Sequence, residues 1–164
     1  MQDETAIQTN ANAPRAAWLR TLALAQPDAL DAAYTRLAES AALPAYRLLR
    51  KPESGMTMVR ARAGGTGAQF NLGEMSVTRC AVVLDETSDE AATAGVSYVQ
   101  GRGTRHAEQA AVLDALLQRQ AWHQRVQDIV LAPLAQALAD RAAKQAAIAA
   151  QTRVEFFTMA RGED

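Results

Sequence analysis

Met75-Ser76-Val77-Thr78-Arg79-Cys80-Ala81-Val82-Val83-Leu84 alternates with a period of two: Met75, Val77, Ala81 and Val83 share one face, and Ser76, Thr78 and Cys80 begin the other. Arg79 interrupts the first face. This is the pattern of a β-strand, and the flanking segments extend it to a sheet. Tyr46 to Arg50 and Met56 to Arg62 are two shorter β-prone runs, and Lys51-Pro52-Glu53-Ser54-Gly55 between them has the composition of a hairpin loop. After the quoted stretch, Asp85 to Asp89 reads as a solvated acidic loop and Gly95 to Gln100 as a fourth strand with Val96 and Tyr98 on one side.

Outside this β-prone middle the period becomes helical. Trp18, Leu19, Leu22 and Ala25 recur at steps of three and four until Gln26-Pro27 interrupts them. Pro27 suits the first position of a second helix, in which Leu30, Ala33, Tyr34, Leu37 and Ala41 form a stripe and Pro44 marks the exit. The two helices are expected to form a hairpin. Thr104 is a reasonable N-cap for a third helix with Ala110, Val112, Leu113, Leu116 and Leu117 on one stripe. An Ala-rich helical region follows from about Trp122 to Ala150, bent or broken near Ala132-Pro133, and Val154 to Met159 is again β-prone. Helices, then strands, then helices predict an α+β fold: an antiparallel sheet of about four strands flanked by an N-terminal helical hairpin and C-terminal helices.

The chain's 164 residues suffice for one domain with a real core and are too few for two ordinary ones. Residues 1–13 are polar and aperiodic, which predicts a flexible tail ahead of a single domain over 14–164. The 17 basic and 18 acidic residues nearly cancel, so no global field draws the chain to nucleic acid or a membrane surface. No run of about eighteen apolar residues suggests a membrane span, and Met1-Gln2-Asp3-Glu4 lacks the basic and apolar regions of a secretory signal. Cys80 is the single cysteine, so neither an internal disulfide nor a Cys-rich metal site can form. A soluble cytoplasmic protein is the expectation.

Three segments could carry chemistry. Gly64-Gly65-Thr66-Gly67 follows a run bearing Arg60 and Arg62; its glycines could turn N–H groups toward an anion, yet a connection between two strands needs glycine whether or not it binds anything. It is not a P-loop, since no Gly-Lys-Ser/Thr follows. Gly101-Arg102-Gly103-Thr104-Arg105-His106-Ala107-Glu108 places two arginines at a helix start, where an anion is favoured. His106-Ala107-Glu108 also has the His-x-Glu spacing of zinc nucleoside deaminases, but those need a downstream Pro-Cys-x-x-Cys that this chain lacks, so no metal site is expected. On a helical wheel His106 falls within the Ala110, Leu113 and Leu117 stripe and Glu108 far from it, which favours a half-buried histidine beside a solvated carboxylate over catalysis. Candidate anion-binding or interface residues are therefore Arg62, Gly64, Gly65, Thr66, Gly67, Arg102, His106 and Glu108. Near the C-terminus stand two of the three phenylalanines. Because neighbours in a strand point to opposite faces, Phe156 and Phe157 need two covering surfaces, and Val154, Phe156, Phe157 and Met159 are candidates for docking on a partner. No segment assembles a convincing acid, base and nucleophile.

Taken together, Arg62-Ala63-Gly64-Gly65-Thr66-Gly67 with Phe70, Thr78-Arg79-Cys80-Ala81-Val82, Tyr98-Val99-Gln100-Gly101-Arg102, His106-Ala107-Glu108 with Asp114-Ala115-Leu116, Ala132-Pro133-Leu134 and Phe156-Phe157-Thr158-Met159-Ala160-Arg161-Gly162 resemble the PhnG family, subunits of the bacterial carbon-phosphorus lyase core complex. The order and spacing of these pieces, from about Pro14 onward, make the resemblance specific. It implies a part in phosphonate catabolism, in the step where a phosphonate displaces adenine from MgATP to give a ribose 1-phosphonate 5-triphosphate. It further implies PhnI-like, PhnH-like and PhnJ-like partners in a hetero-oligomer. MgATP would be a substrate of that complex, with no cofactor bound by this chain and no catalysis by it alone. The alternative is a stand-alone phosphate- or nucleotide-binding module.

Overall fold

The computed structural model describes residues 13–87 and 89–151. Two helices, α1 (Ala13–Leu24) and α2 (Pro27–Ser40), precede the strands β1 (Tyr46–Arg62), β2 (Gln69–Leu84) and β3 (Thr93–Gln100); α3 (Thr104–Leu117), α4 (Gln120–Val126), a π-helical segment (Gln127–Leu131) and α5 (Ala132–Gln151) follow. All strand pairing is antiparallel, in the order β1-β2-β3. The grouping is α+β, as the sequence pattern predicts.

The sheet has three strands where about four were expected. Tyr46–Arg50 and Met56–Arg62 are the two halves of one strand, and Lys51-Pro52-Glu53-Ser54-Gly55 runs through it as extended chain instead of turning. Pro52 is tolerated because β1 is an edge strand, and because register shifts between Leu48 and Arg50 and between Arg50 and Glu53 leave the missing N–H outside the ladder. The reversal comes later, at the short 3-10 turn Ala63–Gly65, where Gly65 takes a positive φ of 78°. β3 pairs only with Val77–Leu84 of β2. The outer half of the β1–β2 hairpin therefore runs past the sheet as a two-stranded ribbon in which no residue from Glu53 to Ser76 is buried among those described.

The core lies on the face of β2 and β3 that carries Cys80, Val82, Leu84 and Val99. Across it lies α3, in which every residue from His106 to Leu117 except Glu108 is buried. A helix enclosed this completely must be covered on both sides. The sheet covers one side; α1, α2 and α4 cover the other. Contact with β3 is close: a Cβ built on Gly95 would stand 2.1 Å from the Ala111 carbonyl oxygen and 2.6 Å from the Ala115 nitrogen. Arg79, which interrupts the opposite face, is exposed and pairs with Glu53, its register partner on β1, at 2.7 Å.

Pro27 opens α2, as its fixed φ favours, and Leu30, Ala33 and Leu37 are buried from it. The expected hairpin of α1 on α2 is not what packs: α1 lies chiefly on α3 and β3, and α2 on the π segment and α3. The stripes of Leu22 and of Leu30, Ala33 and Leu37 join the one core below, so neither helix needs the other. Gly103, not Thr104, occupies the N-cap of α3. The expected break at Ala132-Pro133 is a π turn within a continuing helical run. There the Ala132 N–H reaches the Gln127 carbonyl five residues back, a wider turn just ahead of a proline that has no N–H to give.

Candidate functional site

The β3–α3 connection is the best-defined polar region of the fold. Gly101 has a φ of 89°, its N–H donates to the Ser76 carbonyl at 2.8 Å, and its own carbonyl accepts from the Thr78 hydroxyl at 2.7 Å. That positive φ turns the chain out of the sheet and into α3. Arg102 then lines a shallow recess of about 320 Å³ with Ser54, Gly55, Met56 and Ser76. Arg105 lies 2.6 Å from Asp31 of α2, and Gln109 donates to the same carboxylate oxygen at 2.7 Å. These donors, Gln109 first and Arg105 second, hold the Asp31 carboxyl below its usual range.

His106 is buried, and its Nε2–H donates to the Leu22 carbonyl at 2.8 Å, which fixes the tautomer and ties α3 to α1. Glu108 is half-buried, open to the groove on one side, and accepts the Tyr46 hydroxyl at 2.7 Å. Burial, then this hydrogen bond, pushes the Tyr46 phenol well above its ordinary value. The Cys80 thiol is pushed up to about 11 by burial and then by Glu108, and it donates weakly to the Arg50 carbonyl at 3.4 Å, so it is no nucleophile. Tyr34, Tyr46, Thr104, Arg105 and Glu108 line an open groove of about 540 Å³ between α2, β1 and α3.

Two further charged centres escaped the sequence reading. Asp114 is wholly buried, with Arg15 at 2.7 Å, the Trp18 indole N–H at 2.8 Å and the Val96 amide at 2.9 Å. It joins α1, β3 and α3 at one carboxylate. Arg119, buried after α3, donates to the carbonyls of Leu84, Asp85 and Ala91 and so clamps the β2–β3 loop. A carboxylate within the apolar run Ala110-Ala111-Val112-Leu113-Asp114-Ala115-Leu116-Leu117 was the one available signal for such a centre, because a charge there demands partners.

The anticipated anion-binding set divides into two groups. Arg62 and Gly64-Gly65-Thr66-Gly67 sit at the ribbon tip, where Arg62 donates to the Gly67 carbonyl at 2.8 Å. Arg102, His106 and Glu108 sit at the β3–α3 connection, level with Val77 of β2. At about 3.3 Å per residue, the strand from Gln69 to Val77 separates the groups by roughly 26 Å, too far for one small anion. Val154, Phe156, Phe157 and Met159 lie outside the described residues, as does the tail before Ala13. Among the described residues no three His, Cys, Asp or Glu side chains are grouped to hold a metal ion, and no helix is long and apolar enough to cross a membrane.

The polar groups that might do chemistry are thus mostly committed to internal bonds, and the whole chain finds its likeness in proteins of one kind. The family model described as phosphonate metabolism protein PhnG matches residues 13–162. A curated relative from Rhizobium meliloti (strain 1021), the alpha-D-ribose 1-methylphosphonate 5-triphosphate synthase subunit PhnG, is 37% identical over 154 residues, covering 93% of this chain and 92% of its own. The chain therefore belongs to the PhnG family of phosphonate metabolism proteins.

Proposed function

We propose that the chain acts as the PhnG subunit of a ribose 1-methylphosphonate 5-triphosphate synthase, within a cytoplasmic hetero-oligomer containing PhnI-like, PhnH-like and PhnJ-like subunits. The end-to-end match to a synthase subunit carries this reading. Displacing adenine from MgATP by a phosphonate calls for a group that assists departure of the base and for cations around the triphosphate. Within the described residues, His106 is committed to the Leu22 carbonyl, Asp114 is enclosed by Arg15 and Trp18, and Glu108 holds the Tyr46 hydroxyl. Such an arrangement suits a subunit that completes or orients an active site supplied by others. MgATP is then a substrate of the assembly, and this chain holds no cofactor of its own. The stand-alone module loses ground because Arg62 is bonded to its own turn and stands far from Arg102.

The experiment measures adenine release from MgATP and methylphosphonate. The purified chain alone is expected to give none, and the chain combined with its partner subunits to give turnover. Adenine released by the isolated chain, and lost on substitution of its own residues, would overturn the subunit reading.

A further inference from the structure

We propose that the outer half of the β1–β2 ribbon is the surface on which another synthase subunit docks, through an extended segment bearing carboxylates on either side of an apolar residue. The inference rests on the reading of this chain as a synthase subunit.

An isolated two-stranded hairpin is marginal in water, because it lacks a second layer on which to bury a face. This ribbon nevertheless carries large apolar side chains into solvent: Met56 is 57% exposed, Met58 48%, Phe70 45% and Leu72 63%. Nothing among the described residues covers them.

The edge of β1 divides in the same place. Its inner half is protected against pairing by Lys51, Pro52 and two irregularities in which β1 itself carries the extra residue. From Gly55 to Arg62 it has no proline or lysine, and the one register shift, between Val59 and Arg60, places the extra residue, Leu72, in β2. Neither a bulge of its own nor a proline blunts this stretch, and its backbone is regular and, among the described residues, unpaired on its outer edge, the form that accepts an added strand.

Charge selects the occupant. Arg47, Arg50 and Arg79 in the inner half each pair with a carboxylate, whereas Arg60, Arg62 and Arg102 have none within ion-pair distance among the described residues. Arg60 and Arg62 share strand parity with Met56 and Met58, and Arg102 closes the inner end of the stripe beside Met56 and Ser76. The β1 row of this face therefore reads two methionines and two cations, with Arg102 at its inner end, over roughly 20 Å from Met56 to Arg62 at about 3.3 Å per residue; Glu74 of β2, the register partner of Met58, is the one carboxylate beside it. A strand with an acidic residue toward each end and an apolar one between would complement it. A second copy of the ribbon offers only Glu74 against these arginines and fits poorly.

The test uses the full-length chain, tagged and co-expressed with the other synthase subunits. Met58→Asp combined with Arg60→Glu should cut their recovery at least about tenfold, as loss of a central interface residue does. The helical circular dichroism and melting temperature of the isolated chain should not change, since neither side chain belongs to the core. Met58→Leu combined with Arg60→Lys should retain wild-type recovery. A photo-crosslinking residue at Met56 should join the chain to another subunit. Full recovery by the charge-reversed variant overturns the docking surface while leaving the subunit reading intact. A wild-type chain that recovers no subunit overturns both, and crosslinking only to a second copy shows the occupant to be wrong.

Discussion

Asp114 is the residue on which three elements depend. Removing its charge while keeping its size leaves the Arg15 guanidinium, bound at 2.7 Å and only one-third exposed, facing a neutral amide. The hydrogen bond to this carboxylate raises the Arg15 pKa further above its already high ordinary value, so the guanidinium stays charged when its partner is lost. Loss of one partner of a buried pair costs about 3–5 kcal/mol; with Arg15 partly open to water, Asp114→Asn should cost nearer 2–3 kcal/mol. Urea unfolding measures this, and an unchanged midpoint would show that the carboxylate contributes nothing beyond its shape. Asp31 offers a test by pH. Its folded carboxyl titrates below the ordinary value of 3.8, so its bonds to Gln109 and Arg105 contribute fully above that value and are lost as pH falls through the folded one. Asp31→Asn should therefore be less stable than the wild type at neutral pH, with the gap narrowing as pH falls below the ordinary carboxyl value and through the lower, folded one. A gap that stays constant on acidification would mean that the two structures differ through packing and not through this charge.

At the scale of elements, sequence legibility followed local period. Alternation over Met75–Leu84 and the stripe of α3 were plain, because each rests on neighbours within a few residues. What failed needed knowledge of place: Lys51-Pro52-Glu53-Ser54-Gly55 has turn composition, and only the edge position of β1 lets it stay extended. In the candidate site, His106 was read correctly as a stripe residue. The bond of Glu108 to Tyr46 was not legible because that partner stands 62 positions earlier, and the centre at Asp114 was not because Arg15 is 99 positions away. No periodic signal spans such separations. Gly95 shows the same limit, since its need for a hydrogen in place of a side chain arises from α3, not from its own strand. Gly95→Ala would drive a methyl into the Ala111 carbonyl and force α3 off β3, at a cost of about 3 kcal/mol or more. Gly55→Ala, with nothing within 4 Å of its new Cβ, should be neutral within about 0.5 kcal/mol. Equal effects of the two substitutions in thermal unfolding would refute the close contact.

Across the whole molecule the architecture is lopsided. One half of the sheet is backed by α3 and closed by the Asp114 and Arg119 centres, which fasten α1 and the β2–β3 loop to it. The other half is a ribbon that, among the described residues, is uncovered on both faces and held by little more than its own ladder. Amide exchange reports the free energy of local opening, which is highest where strands are buried and lowest where hydrogen bonds meet water. In the isolated chain, amides of Thr78–Leu84 and α3 should exchange slowly, while those of Met56–Arg62 and Gln69–Met75 should exchange at least about a hundredfold faster, a difference of roughly 2.7 kcal/mol in opening. The contrast follows from burial alone and does not depend on which partner covers the ribbon. Equal protection in both halves would mean that the ribbon is stabilised within the chain, and its apolar side chains would then no longer call for an external surface.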